Sequence, residues 1–173
     1  GSSPLMIIQL VNSGLLPEGA RLATREDLEN AIPDEDLWYD AFLRNSFLKD
    51  KYAHFGICLK SEGDYYVPND LLAKRLAKQL KRRNIKIEKG KLIPLDILSL
   101  TEDKNSAYGL VINLKEGAES SITDLKNYKW SYIREEGLSY VSVHRGWVRF
   151  WDSSNPHLAW SNEYGGVIVS SAF

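Results

Sequence analysis

Hydrophobic and polar positions alternate most clearly in Tyr128–Trp151, YKWSYIREEGLSYVSVHRGWVRFW. Alternation with period two predicts strands. Glu135-Glu136-Gly137 has the composition of a three-residue hairpin loop, and Arg145-Gly146 that of a two-residue loop. Loop length sets register. The meander is therefore expected to pair Tyr132 with Tyr140, His144 with Trp147, Ser142 with Arg149 and Tyr140 with Trp151. One face carries Tyr128, Trp130, Tyr132, Tyr140, Ser142, His144, Trp147, Arg149 and Trp151. The other carries Ile133, Val141, Val143, Val148 and Phe150 and reads as ordinary core.

Elsewhere the pattern predicts a short strand at Met6–Val11, ended by Asn12-Ser13-Gly14. Thr24 suits the N-cap of a helix from about Arg25 to Ala31, with Asp27 completing a capping box. Asp34 suits the cap of a second helix, Glu35 to about Leu48. His54–Leu59, HFGICL, reads as a buried strand with Tyr65–Val67 as hairpin partner. A helix is expected from Leu71 to about Arg83, with Leu72, Ala73, Leu76, Ala77 and Leu80 inside. Ile85–Glu88 and Lys91–Leu95 read as short strands, Tyr108–Leu114 as a stronger one, and Gly166–Ser170 as the last. Helices early and mostly antiparallel strands late define an α+β class, with a Trp-rich C-terminal sheet. Gly1–Leu5 precede the single methionine, Met6. They read as an appended remnant, leaving 6–173 as one domain.

Composition adds limits. The chain has 173 residues, 43% hydrophobic and 26% charged, as one ordinary domain does. No apolar run approaches the roughly 18 residues of a membrane span. Net charge is −1. Residues 51–99, however, hold 11 bases against 5 acids, so the middle of the chain is locally basic. One cysteine, Cys58, excludes an internal disulfide and a cysteine-rich zinc site. The expectation is a soluble protein without disulfides, cytoplasmic or associated with a virion or cell surface.

Candidate chemistry is sparse. No phosphate loop, dinucleotide fingerprint or nucleophile elbow occurs, and no cofactor or metal is implied. His54 and Cys58 are expected on one face of a strand, too far apart along it to pair; Cys58 reads as a buried structural thiol. The outer face of the 71–83 helix, with Lys74, Arg75, Lys78, Lys81 and Arg82, suits phosphate contacts or simple solvation. The aromatic sheet face is the preferred partner-binding surface, because aromatic rings stack on sugars, bases or proline-rich peptides. Its candidate residues are Trp130, Tyr140, His144, Trp147, Arg149 and Trp151, with Asn155, His157 and Tyr164 in the following loops. Coverage by helices, or contact between two copies, is the competing reading of that face.

Residues 21–31, RLATREDLENA, resemble the R-L-P-T-x-x-E-W-E-x-A segment that opens the first helix in formylglycine-generating-enzyme-like members of the C-type-lectin-like folds. Ala23, Asp27 and Leu28 replace that pattern's proline, glutamate and tryptophan. Trp147–Trp160 and Gly165–Val169 look like the Trp-rich sheet and Gly-aliphatic strand that close such folds. The enzyme branch's copper-binding cysteines have no counterpart here. The resemblance thus implies binding rather than that catalysis. The expected function is a non-catalytic module recognising a protein or glycan; the alternatives are a nucleic-acid-contacting or inhibitor protein, and an enzyme without a readable motif.

Overall fold

The structure, a computed structural model, describes residues 2–24, 26–27, 30, 52–61, 71–125, 130–133, 136–144, 150–153, 155–161 and 165–171, with backbone only at 52, 130–133, 143–144 and 150–153. The fold is α+β, with mostly antiparallel sheets, as the pattern predicts. The expected helix 35–48, the expected partner strand 65–67 and the expected two-residue loop Arg145-Gly146 lie outside the described residues.

Helix α1, Pro4–Asn12, replaces the strand expected at Met6–Val11. Its start signals lie in the segment set aside as a remnant. Ser3 caps the helix, its Oγ accepting the Met6 N–H at 3.2 Å, and Pro4 supplies the fixed φ that suits the first helical turn. Ser2 and Ser3 are buried and Leu5 joins the core, so residues 2–5 are part of the packed unit.

Helix α2, Leu71–Arg82, forms where its spacing requires, and Leu72, Ala73, Leu76, Ala77 and Leu80 are all buried. It ends in a Schellman motif: the Ile85 N–H donates to Leu80 O at 2.9 Å and the Asn84 N–H to Lys81 O at 3.0 Å. Asn84 takes the left-handed conformation there, φ 58°. This chain reversal occupies the place of the strand expected at Ile85–Glu88.

The strands are β1 Ala20–Leu22, β2 Tyr52–Lys60, β3 Lys91–Pro94, β4 Leu98–Glu102, β5 Leu110–Leu114, β6 Thr123–Asp124, β7 Trp130–Ile133, β8 Gly137–His144, β9 Phe150–Ser153, β10 Gly165–Gly166 and β11 Val169–Ser171. The main sheet runs β6-β3-β2-β8-β9-β7, with β10 pairing parallel to the start of β2. β4 pairs with β5 and β1 with β11, both antiparallel.

The meander order is corrected. β7 pairs with β9, in parallel, and not with β8. β8 instead gives one edge to β2 over Tyr52–Lys60, which sets Ile57 opposite Tyr140 and Leu59 opposite Leu138 in the core. With β9 on its other edge, β8 has no edge left for β7. Ser142 pairs with Asp152 and not Arg149, because β8 and β9 are joined by residues 145–149 and not by a two-residue loop. That is a shift of three residues, and an odd shift exchanges the faces of one strand relative to its partner.

A second correction comes from a bulge in β2. His54 pairs with Ser142 but Gly56 pairs with Val141, so Phe55 is the extra residue. The bulge puts His54 on the face of Ser142 and Tyr140, and Cys58 on the face of Ser139 and Val141. The two do not share a face. Both faces are buried: Leu138, Tyr140 and Ser142 on one side, Cys58, Ser139 and Val141 on the other. At Gly56 a Cβ would lie 2.6 Å from the Ile93 carbonyl oxygen, so glycine is what lets β3 approach beside the bulge.

Candidate binding cleft

β1 leads into the predicted capping box, which forms. The Asp27 N–H donates to Thr24 Oγ1 at 3.2 Å, and the Thr24 N–H donates to Asp27 Oδ2 at 2.6 Å. Arg21 reaches the same carboxylate with two N–H groups, at 2.5 and 2.7 Å. The Arg21 guanidinium hydrogen bond is the largest influence and holds the Asp27 carboxyl well below the usual carboxylate range; burial opposes it, and the Thr24 backbone N–H and hydroxyl add smaller lowering effects. Leu22, Ala23, Thr24 and Glu26 are thereby set as one wall of a cleft of about 300 Å³.

The bulge residue Phe55, with Leu92 and Pro94 of β3, makes the apolar side of that cleft. Asp96, Ser120, Ser121 and Thr123 complete the polar side. Two short 3-10 turns hold these groups. Leu95–Ile97 carries Asp96, whose carbonyl oxygen accepts from Lys115 Nζ at 2.8 Å. Glu119–Ser121 carries the two serines and is tied down by the Arg83–Glu119 ion pair at 2.9 Å. The cleft is thus a small concave site lined both by apolar side chains and by residues that carry hydroxyls and carboxylates. Its volume sits at the low end of ligand pockets.

Of the residues expected to bind a partner, Trp130 and Trp151 are register partners on β7 and β9, and His144 of β8 is opposite Phe150. Tyr140, expected on an open face, is 6% exposed and packs in the core. It is buried because its face of β8 packs into the core cluster, with the His54 ring edge-on to it. Trp130, His144 and Trp151 are strand positions of β7, β8 and β9, whereas Trp147, Arg149 and Tyr164 lie outside the described residues. Asn155 is half-buried: its carbonyl oxygen accepts the Tyr140 N–H at 3.0 Å and its side chain accepts the His157 N–H at 2.9 Å. His157 and Trp160 are exposed on that anchored turn. On α2, Lys74, Lys78, Lys81 and Arg82 are exposed, while Arg75 pairs with Asp103.

His54 is a core residue. It is 3% exposed, with Nε2 at 3.1 Å from the Ser2 carbonyl oxygen and its ring edge-on to Tyr140, centroids 4.6 Å apart. Burial pushes its pKa down to about 4, the Ser2 carbonyl opposing that effect. It is neutral near pH 7 and donates its Nε2–H to Ser2. Cys58 is likewise buried. Among the described residues, no group of three or more His, Cys, Asp or Glu is placed to hold a metal ion. Among them, too, no helix is long and apolar enough to cross a membrane.

Only half of the cleft had a signal in the chain. The Thr24/Asp27 spacing marks its first wall, but Phe55 reads as one more residue of a buried strand, and nothing in HFGICL announces the bulge. Compared with protein-family models, curated proteins and solved structures, the chain matches none.

Proposed function

We propose that the chain is a non-catalytic binding module and that the cleft beside the capping box receives a saccharide unit of a glycan partner. The observation that carries this reading is the pairing of Phe55, Leu92 and Pro94 with the hydroxyl and carboxylate rim of Thr24, Glu26, Asp96 and Ser121. A sugar ring has an apolar C–H face and a girdle of hydroxyls. The first packs on an aromatic or aliphatic wall; the second donates to carboxylates and exchanges hydrogen bonds with serine and threonine. The likeness of residues 21–31 to C-type-lectin-like folds supports the same reading. That segment lines the cleft, and its strand β1 pairs with the closing strand β11, Leu22 opposite Val169.

The test is a titration with a panel of neutral and amino sugars and short oligosaccharides, followed by amide chemical shifts. Saturable binding with a Kd of about 1 mM or tighter is expected for at least one ligand, with shifts at Phe55, Asp96 and Ser121. Asp96→Asn is expected to weaken it at least about tenfold without lowering the melting temperature, the loss of one charge-assisted hydrogen bond. Binding indifferent to Asp96→Asn, or no saccharide binding across the panel, overturns the proposal.

A further inference from the structure

We infer that the outer face of α2 is a docking surface for the phosphate backbone of a nucleic acid, contacted through Lys74, Lys78 and Arg82 without base readout. The helix advances about 100° and 1.5 Å per residue, so positions 74, 78, 81 and 82 fall within one arc of about 100° and span about 12 Å. At about 3.4 Å of axis per phosphate on one strand, that stripe covers about three or four phosphates. All four side chains are exposed.

The neighbouring polar residues show what structural duty looks like on this helix. Arg75 is paired with Asp103. Arg83 donates to the Lys115 and Leu114 carbonyl oxygens at 2.6 and 2.8 Å and pairs with Glu119. Gln79 takes the place of a strand partner along β5, donating to Ile112 O at 3.0 Å and accepting the Leu114 N–H at 2.7 Å. Lys74, Lys78 and Arg82 make no ion pair among the described residues. The buried leucine stripe and the ties of Gln79 and Arg83 hold the backbone of this face rigid, so docking costs little ordering of the scaffold.

The face also narrows the partner. None of the exposed residues on that arc is apolar, and Leu71 at its N-terminal end is half-buried, so no exposed apolar side chain is there to insert into a lipid interface. It has no aromatic ring to stack a base, and its one amide, Gln79, is engaged with β5. What remains is a row of point charges, the chemistry of contacts that position a protein on phosphates without reading sequence.

The experiment measures fluorescence anisotropy of labelled 20-base-pair duplexes of two unrelated sequences, titrated with the intact chain from 50 to 200 mM salt. Equal affinity for both duplexes is expected, with log K falling against log salt at a slope of about −3 for three phosphates. The Lys74→Glu/Lys78→Glu variant is expected to lose at least about tenfold, and Lys78→Ala to reduce the slope by about 1. Melting curves check that each variant is folded. Should the double charge reversal unfold, Lys78→Gln/Arg82→Gln makes the same comparison. Absence of binding at 50 mM salt, affinity unchanged in the folded charge variants, or tighter binding to phosphatidylserine vesicles than to either duplex overturns the inference.

Discussion

Helices α1 and α2 are held in opposite ways. α1 carries no charged residue and is fastened by distant parts of the chain: its Leu5 N–H donates to Leu158 O at 3.3 Å, Asn12 Nδ2 donates to Leu98 O at 3.0 Å, and just before it Ser2 Oγ donates to Gly166 O at 3.0 Å. α2 carries a full leucine and alanine stripe, a basic last turn and its own C-terminal motif. A helix with a strong amphipathic pattern is specified by its own residues. A short, uncharged helix is marginal alone, and tertiary packing decides it. α2 is therefore expected to resist changes elsewhere in the molecule, and α1 to register them.

Leu76→Ala should break α2 most severely. Leu76 is fully buried at the centre of the stripe, and such truncations cost about 2–5 kcal/mol. Denaturant unfolding followed by far-UV circular dichroism measures it, and an unchanged midpoint would show that the stripe is not what docks the helix.

Acid should attack the α1 side. The folded state keeps His54 neutral down to about 4, whereas the unfolded chain takes up its proton near 6.5. Between those values the unfolded state binds more protons, so stability falls as pH drops from 6.5 towards 4 and is at its full value above 6.5. The loss approaches about 3 kcal/mol. Unfolding midpoints across that window test it, and a His54→Gln variant should show a flatter profile. Hydrogen exchange should place the earliest acid-induced opening at Ser2–Ile8 and leave the α2 amides protected. Simultaneous opening of both helices would contradict the comparison.

Ser3→Ala removes the N-cap of α1 and should cost about 1 kcal/mol, read as a shift of the urea midpoint without a change of slope. The smallest effect belongs to the outer face of α2. Lys78→Ala should leave stability within about 0.5 kcal/mol of the parent, while weakening any polyanion binding. A larger destabilisation would mean that Lys78 has a structural partner and that this face is not spare.

Legibility follows the same division. The α2 stripe and the Thr24/Asp27 capping box were readable because their partners lie within a few positions of each other. The pattern of α1 suggests a strand because its cap and first-turn proline, Ser3 and Pro4, lie in the segment that reads as a remnant, and LMIIQLV without them suits either element. The meander failed for a different reason. Tyr132, Ser142 and Trp151 alternate as strand residues should, but alternation cannot say which edge pairs with which. The cleft inherits that blindness, since its walls come from residues 22–26, 55, 92–96 and 120–123.

The chain by itself determined that α2 is amphipathic, that β2 and β8 are strands, and that Cys58 has no partner cysteine, because local spacing and composition carry those facts. Tertiary structure alone decided that β8 joins β2, that β7 lies beside β9, and that His54 and Cys58 part at the Phe55 bulge. It also decided that Tyr140 is core rather than surface. These are choices among pairings with the same local propensity. They are settled by which arrangement buries Ile57, Leu59, Leu138 and Tyr140 together, an energy that exists only once distant strands meet.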